Sequence, residues 1–134
     1  MSWIQKKPVF GDHIRVSRGL YAHHGIYASD DCIIHFASNE IGQETNPECA
    51  TVCITNLANF QKNGVIEVRE FSEEEAKAKR SPQDTINFAF TQLGEKGYDL
   101  INNNCEHFAN YCLFGCKSSS QVDGLKDLFQ RIFR

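Results

Sequence analysis

The chain has 134 residues, 41% of them hydrophobic, and a formal net charge of −3, enough for one domain with a real core and too little for two. That acidic balance excludes the clustered basic footprint of a nucleic-acid binder. Met1 to Pro8 lack the apolar core and cleavage site of a signal peptide, and no run of about 18 apolar residues occurs, so a cytoplasmic, reducing setting is expected. Five of the six cysteines therefore read as ordinary thiols and not as a disulfide framework. Cys49 with Cys53, and Cys112 with Cys116, loosely imitate zinc hooks. Cys112 and Cys116, however, share a face with Phe108 and Leu113, as packing residues do. Neither a metal nor a cofactor is expected.

In chain order, a half-buried strand is predicted over Gly11 to Arg18, where Ile14 and Val16 alternate with His13, Arg15 and Ser17. His13, at its start, reads as a surface residue. A second strand, Leu20 to Ala28, joins a third, Cys32 to Ala37, through the polar turn Ser29-Asp30-Asp31 as an antiparallel hairpin. Period two puts Tyr21, His23, Gly25 and Tyr27 on one face of the second strand, with His24 and Ile26 on the other. The adjacent histidines must then serve different purposes, and His24 reads as structural. Ser38 to Pro47 is a polar loop, Ala50 to Thr55 a short strand, Asn56 to Phe60 a helical turn, and Val65 to Phe71 an alternating strand. Ser72 followed by Glu73, Glu74 and Glu75 opens a solvated helix by a capping box, with Lys77, Lys79 and Arg80 at its end. Ser81-Pro82 starts another, with Ile86, Ala89, Phe90 and Leu93 as its buried stripe and Gly94 and Gly97 as its stop. Beyond Gly115, residues 121–134 set Leu125, Leu128, Phe129 and Phe133 opposite Lys126, Arg131 and Arg134. Such an amphipathic C-terminal helix either packs on the domain or makes peripheral contact with a membrane.

The chemistry centres on Asn102-Asn103-Asn104-Cys105-Glu106-His107-Phe108. Asn104 or Asn103 is a good N-cap, which leaves Cys105 in the first turn of a helix whose buried stripe is Phe108, Ala109, Cys112, Leu113 and Cys116. A thiol there is expected to have its pKa lowered by the helix dipole. It also needs a base within reach and a third group to orient that base. His23 and His35 lie near one another on one hairpin face, so a helix packed on that face would deliver Cys105 to His23, with His35 orienting it. His107, two residues on and roughly 200° around the helix, cannot share the face of Cys105.

Gly11-Asp12-His13-Ile14, His23-His24-Gly25-Ile26-Tyr27, Ile34-His35-Phe36 and Asn104-Cys105-Glu106-His107-Phe108-Ala109 resemble, in that order, the motifs of the lecithin:retinol acyltransferase-like family. The resemblance implies a catalytic domain over 8–117 with an α+β, circularly permuted papain-like fold of NlpC type, an antiparallel sheet packed against the helix that carries the cysteine. It implies thiol acyltransferase or phospholipase chemistry on glycerophospholipid acyl esters, with Cys105 as nucleophile, His23 as general base and His35 orienting His23. The Cys105 backbone amide and Tyr21 are candidate oxyanion donors. A cysteine peptidase or amidase on the same scaffold, and a non-catalytic interaction module, are the competing expectations.

Overall fold

The computed structural model describes residues 2–19, 21–38, 49–96 and 104–115. The expected C-terminal helix over 121–134, the loop beyond Ser38, Gly97, Asn103 and Cys116 lie outside them. The described chain is α+β. Six strands, β1 (Ser2–Ile4), β2 (Asp12–Ser17), β3 (Ala22–Ser29), β4 (Cys32–Ala37), β5 (Thr51–Thr55) and β6 (Ile66–Glu70), form one sheet in the order β1-β6-β2-β3-β4-β5. All neighbours run antiparallel. The helices are α1 (Leu57–Gln61), α2 (Glu73–Ala78), α3 (Pro82–Thr91) and α4 (Asn104–Phe114).

Turn and cap chemistry place these elements much as expected. Ser29 pairs with Cys32, leaving Asp30-Asp31 as the hairpin turn. Asn56 caps α1, Ser72 caps α2 through a full capping box with Glu75, and Ser81 with Pro82 starts α3. The strand β1, with Trp3 at its centre, was not anticipated; it pairs Ser2, Trp3 and Ile4 with Glu70, Arg69 and Val68.

Strand alternation divides the core in two. One face carries Ile26, Ile34, Phe36 and Val52, and it is covered by Ile86, Phe88 and Ala89 of α3 and by Phe108, Ala109, Cys112 and Leu113 of α4. The other carries Ile14, Val16, Tyr27, Ile33, Ile66 and Val68 beneath Phe60 of α1. The stripe of α3 is not the expected one. Phe88 is buried against Tyr111 of α4, whereas Phe90 and Leu93 are 41% and 39% exposed. Among the described residues no helix is long and apolar enough to cross a membrane.

Candidate active site

His23 and His35 come together as the strand faces predict. His23 Nε2 and His35 Nδ1 are 2.8 Å apart, and both rings are buried beneath Phe60, whose ring centroid is 5.1 Å from that of His23 and 6.0 Å from that of His35. The hairpin register pairs Ile26 with Ile34. Carried one residue further, it sets Gly25 across from His35 and His23 diagonal to it, within imidazole reach. A Cβ on Gly25 would meet Ile33 Cγ2 and Phe60 Cε2, each at 2.9 Å. The glycine thus lets Phe60 close over the pair. Gly25→Ala is expected to push Phe60 outward and to destabilise the domain by about 1–3 kcal/mol, read as a lowered melting temperature.

Burial is the main cause holding both imidazoles neutral. It takes His35 down to about 4, with Arg18 adding to the effect. His23 is driven well below its ordinary value by burial first, then by His35, Arg18, His24 and Lys62. For His23 Nδ1 to accept a proton, its Nε2 must carry one and donate to His35 Nδ1. The proton of His35 then sits on Nε2, a buried nitrogen with no hydrogen-bond partner among the described residues.

Cys105 begins the buried stripe of α4 and is 8% exposed, while His107 points to solvent. Its placement corrects two expectations. First, α4 lies on the sheet face opposite His23 and His35, because its stripe fits Ile26, Ile34 and Phe36 while Phe60 already occupies the histidine face. The first turn of α4 nevertheless reaches the start of β3. The thiol donates to the Ala22 carbonyl at 3.8 Å, and the His24 backbone N–H donates to the sulfur, so Sγ contacts the strand on both sides of His23. Second, the thiol pKa is raised. Desolvation outweighs the N–H groups of His24, Glu106 and Cys105 that pull it down. The resting group is therefore a thiol. Tyr21 stands just before β3, 46% exposed. The helix opens at Asn104 itself.

His13 is not a surface residue. It is fully buried and shares a hydrogen bond with His24, 2.8 Å between Nε2 and Nδ1. Arg69 is likewise buried. The β2–β3 register, which pairs Arg15 with His24 and His13 with Ile26, was the missing signal: it puts His13 and His24 on one face.

The lecithin retinol acyltransferase family profile matches residues 6–118. Lecithin retinol acyltransferase of Mus musculus is 26% identical over 145 residues, covering 94% of this chain and 63% of that relative. Phospholipase A and acyltransferase 2 of Homo sapiens is 29% identical over 132 residues, covering 92% and 82%. Protein LEAD-SENSITIVE 1 of Arabidopsis thaliana is 31% identical over 144 residues, covering 76% and 56%. The chain thus spans less than two thirds of the length of the mouse and Arabidopsis relatives.

Proposed function

Because the chain belongs to the lecithin retinol acyltransferase family, we propose that it is a cysteine acyltransferase or phospholipase A-type hydrolase acting on glycerophospholipid acyl esters. The observation that carries this reading is the buried, hydrogen-bonded His23–His35 pair with the Cys105 sulfur seated on the backbone flanking His23. The order of elements, histidine strands before the cysteine helix, supports a circularly permuted NlpC-type papain-like fold.

With a protonated thiol and neutral imidazoles at rest, proton transfer accompanies attack and no ion pair is formed beforehand. Cys105 turns from the Ala22 carbonyl and gives its proton to His23 Nδ1, while His35 Nδ1 accepts from His23 Nε2 and steadies the imidazolium. Sulfur bonds to the ester carbonyl carbon, and the oxyanion takes the Cys105 amide and the Tyr21 hydroxyl as donors. Collapse breaks the acyl C–O bond, the leaving glycerol oxygen takes the proton from His23, and a thioester remains. An amine, alcohol or water, deprotonated by His23, then attacks the thioester and restores the thiol.

Arg18 and Lys62 lie close enough for their charges to depress His23. A cationic border of this kind suits a lipid phosphate better than a neutral peptide, and it favours the ester reading over the peptidase or amidase one. The amphipathic sequence of 121–134 would bring the protein to the membrane surface as a peripheral contact. The test is intact-mass analysis after incubation with phosphatidylcholine vesicles or with peptides. An acyl-sized mass increase on Cys105 with vesicles, absent from Cys105→Ala, is expected. No adduct on the parent, or an adduct that persists in Cys105→Ala, overturns the proposal.

A further inference from the structure

The sheet face beneath α4 carries a second polar system that the proposed reaction does not use. Arg69 of β6 donates from Nη1 to Asn110 Oδ1 of α4 at 2.7 Å, and its Nη2 is 2.5 Å from Glu75 Oε2. The same Nη1 is 3.3 Å from His13 Nδ1. His13 Nε2 is 2.8 Å from His24 Nδ1, and His24 Nε2 faces Glu106 Oε2 at 3.8 Å. Trp3 packs edge-on against both imidazoles, with centroids 4.9 and 5.5 Å away, and closes this row from the β1 side.

The two ends of the row dictate its protons. A guanidinium only donates and a carboxylate only accepts. Arg69 therefore requires His13 Nδ1 to be bare, which puts the His13 proton on Nε2, directed at His24 Nδ1. His24 in turn carries its proton on Nε2, directed at Glu106. Read from the Glu106 end, the same tautomers result. The groups facing His24 are His13 and Arg15 from β2, Arg69 from β6 and Glu106 from α4. Burial first, then Arg15 and Arg69, hold it at about 4, so it stays neutral at physiological pH.

Glu106 directly follows Cys105, and His24 directly follows His23. Their side chains meet at one point while the His24 backbone N–H meets the Cys105 sulfur at another, so two adjacent residues of β3–α4 contact are tied twice. We propose that this row, polarised from Arg69 to Glu106, makes His24 and Glu106 positioning residues that register the first turn of α4 on β3 and so set the Cys105 sulfur beside His23. The role assigned to the sulfur rests on the function proposed above; the polarity of the row does not.

The test has two arms on the full chain. Long-range proton–nitrogen NMR of the imidazoles is expected to give Nε2–H tautomers for both His13 and His24, unprotonated from pH 8 to pH 6. An Nδ1–H tautomer at either, or protonation of His24 in that range, overturns the polarity. In the second arm His24→Leu cuts the row, whereas the amide of His24→Gln can accept from His13 and donate toward Glu106. The leucine variant is expected to acylate on phosphatidylcholine vesicles at least ten-fold more slowly at unchanged KM, and the glutamine variant to recover most of that loss. A folded leucine variant at the parental rate, or a glutamine variant no better than leucine, overturns the positioning role. Iodoacetamide, which needs no lipid, is read in parallel. There the leucine variant must differ at least five-fold from the parent and the glutamine variant must lie nearer the parent. This arm decides the matter even where the parent takes no acyl group. Should His24→Leu not fold, Glu106→Ala, in a side chain 19% exposed, must produce the same five-fold change.

Discussion

His23→Ala is expected to lower the rate of acyl-adduct formation on Cys105 by about 10³-fold, the size usual for a lost general base. The reason lies in the resting thiol. Its pKa is raised by burial, so without a base almost no thiolate forms at neutral pH, and the N–H donors around the sulfur do not make up the difference. His35→Ala is expected to fall in between, because His23 would keep its nitrogen but lose the acceptor that fixes its tautomer. His24→Ala should cost about ten-fold, since it disturbs the seating of α4 and leaves the His23–His35 pair intact. Circular dichroism establishes that each variant is folded, and intact mass sampled over time gives the rates. Equal losses in folded His23→Ala and His24→Ala would contradict the division of labour between the two strand faces.

That division was legible because it depends only on period-two geometry. Adjacent histidines in a strand point apart, and a turn of Ser29-Asp30-Asp31 brings His35 back beside His23 whatever else the chain does. The stripe Phe108, Ala109, Cys112, Leu113 was legible for the corresponding helical reason. The side of the sheet on which α4 rests was not. A stripe records that a helix buries one face and says nothing of which partner it finds; here the decision belongs to Phe60, four elements before the cysteine helix in the chain yet seated over the histidines. The raised thiol pKa was not legible for a related cause. Dipole and first-turn amides are visible in a sequence, whereas the competing desolvation depends on what packs around the sulfur. In α3, Phe88 displaced the expected Phe90 because the docking partners Tyr111 and Arg80 stand on its side. The burial of His13 and Arg69 was not legible because polar residues are assumed to face water unless a partner is known, and apart from each other their partners come from three further elements, β3, α2 and α4.

The same buried histidines should make the domain sensitive to acid well above the range in which carboxylates titrate. Folded His24 and His35 titrate at about 4, whereas in the unfolded chain each returns to about 6.5. Between those values the unfolded state binds more protons, so stability rises with pH and is lost as pH falls from about 6.5 toward 4. At pH 5 each of the two contributes a loss of about 2 kcal/mol relative to neutral pH. His13 and His23, also driven down chiefly by burial, act in the same direction. Asp12, whose carboxyl is pushed up by burial, works the other way but is a single group. Against a total stability of roughly 5–15 kcal/mol for a domain, a loss of this size should lower the melting temperature by on the order of 15 °C between pH 7.5 and pH 5. Calorimetry at pH 7.5, 6 and 5 measures it directly, and a melting temperature flat to pH 5 would show that the imidazoles accept protons without leaving the fold. His24→Gln supplies the internal control. Glutamine cannot be protonated, so the unfolded chain of that variant gains one proton fewer on acidification, and its melting temperature should fall less steeply than that of the parent over the same interval.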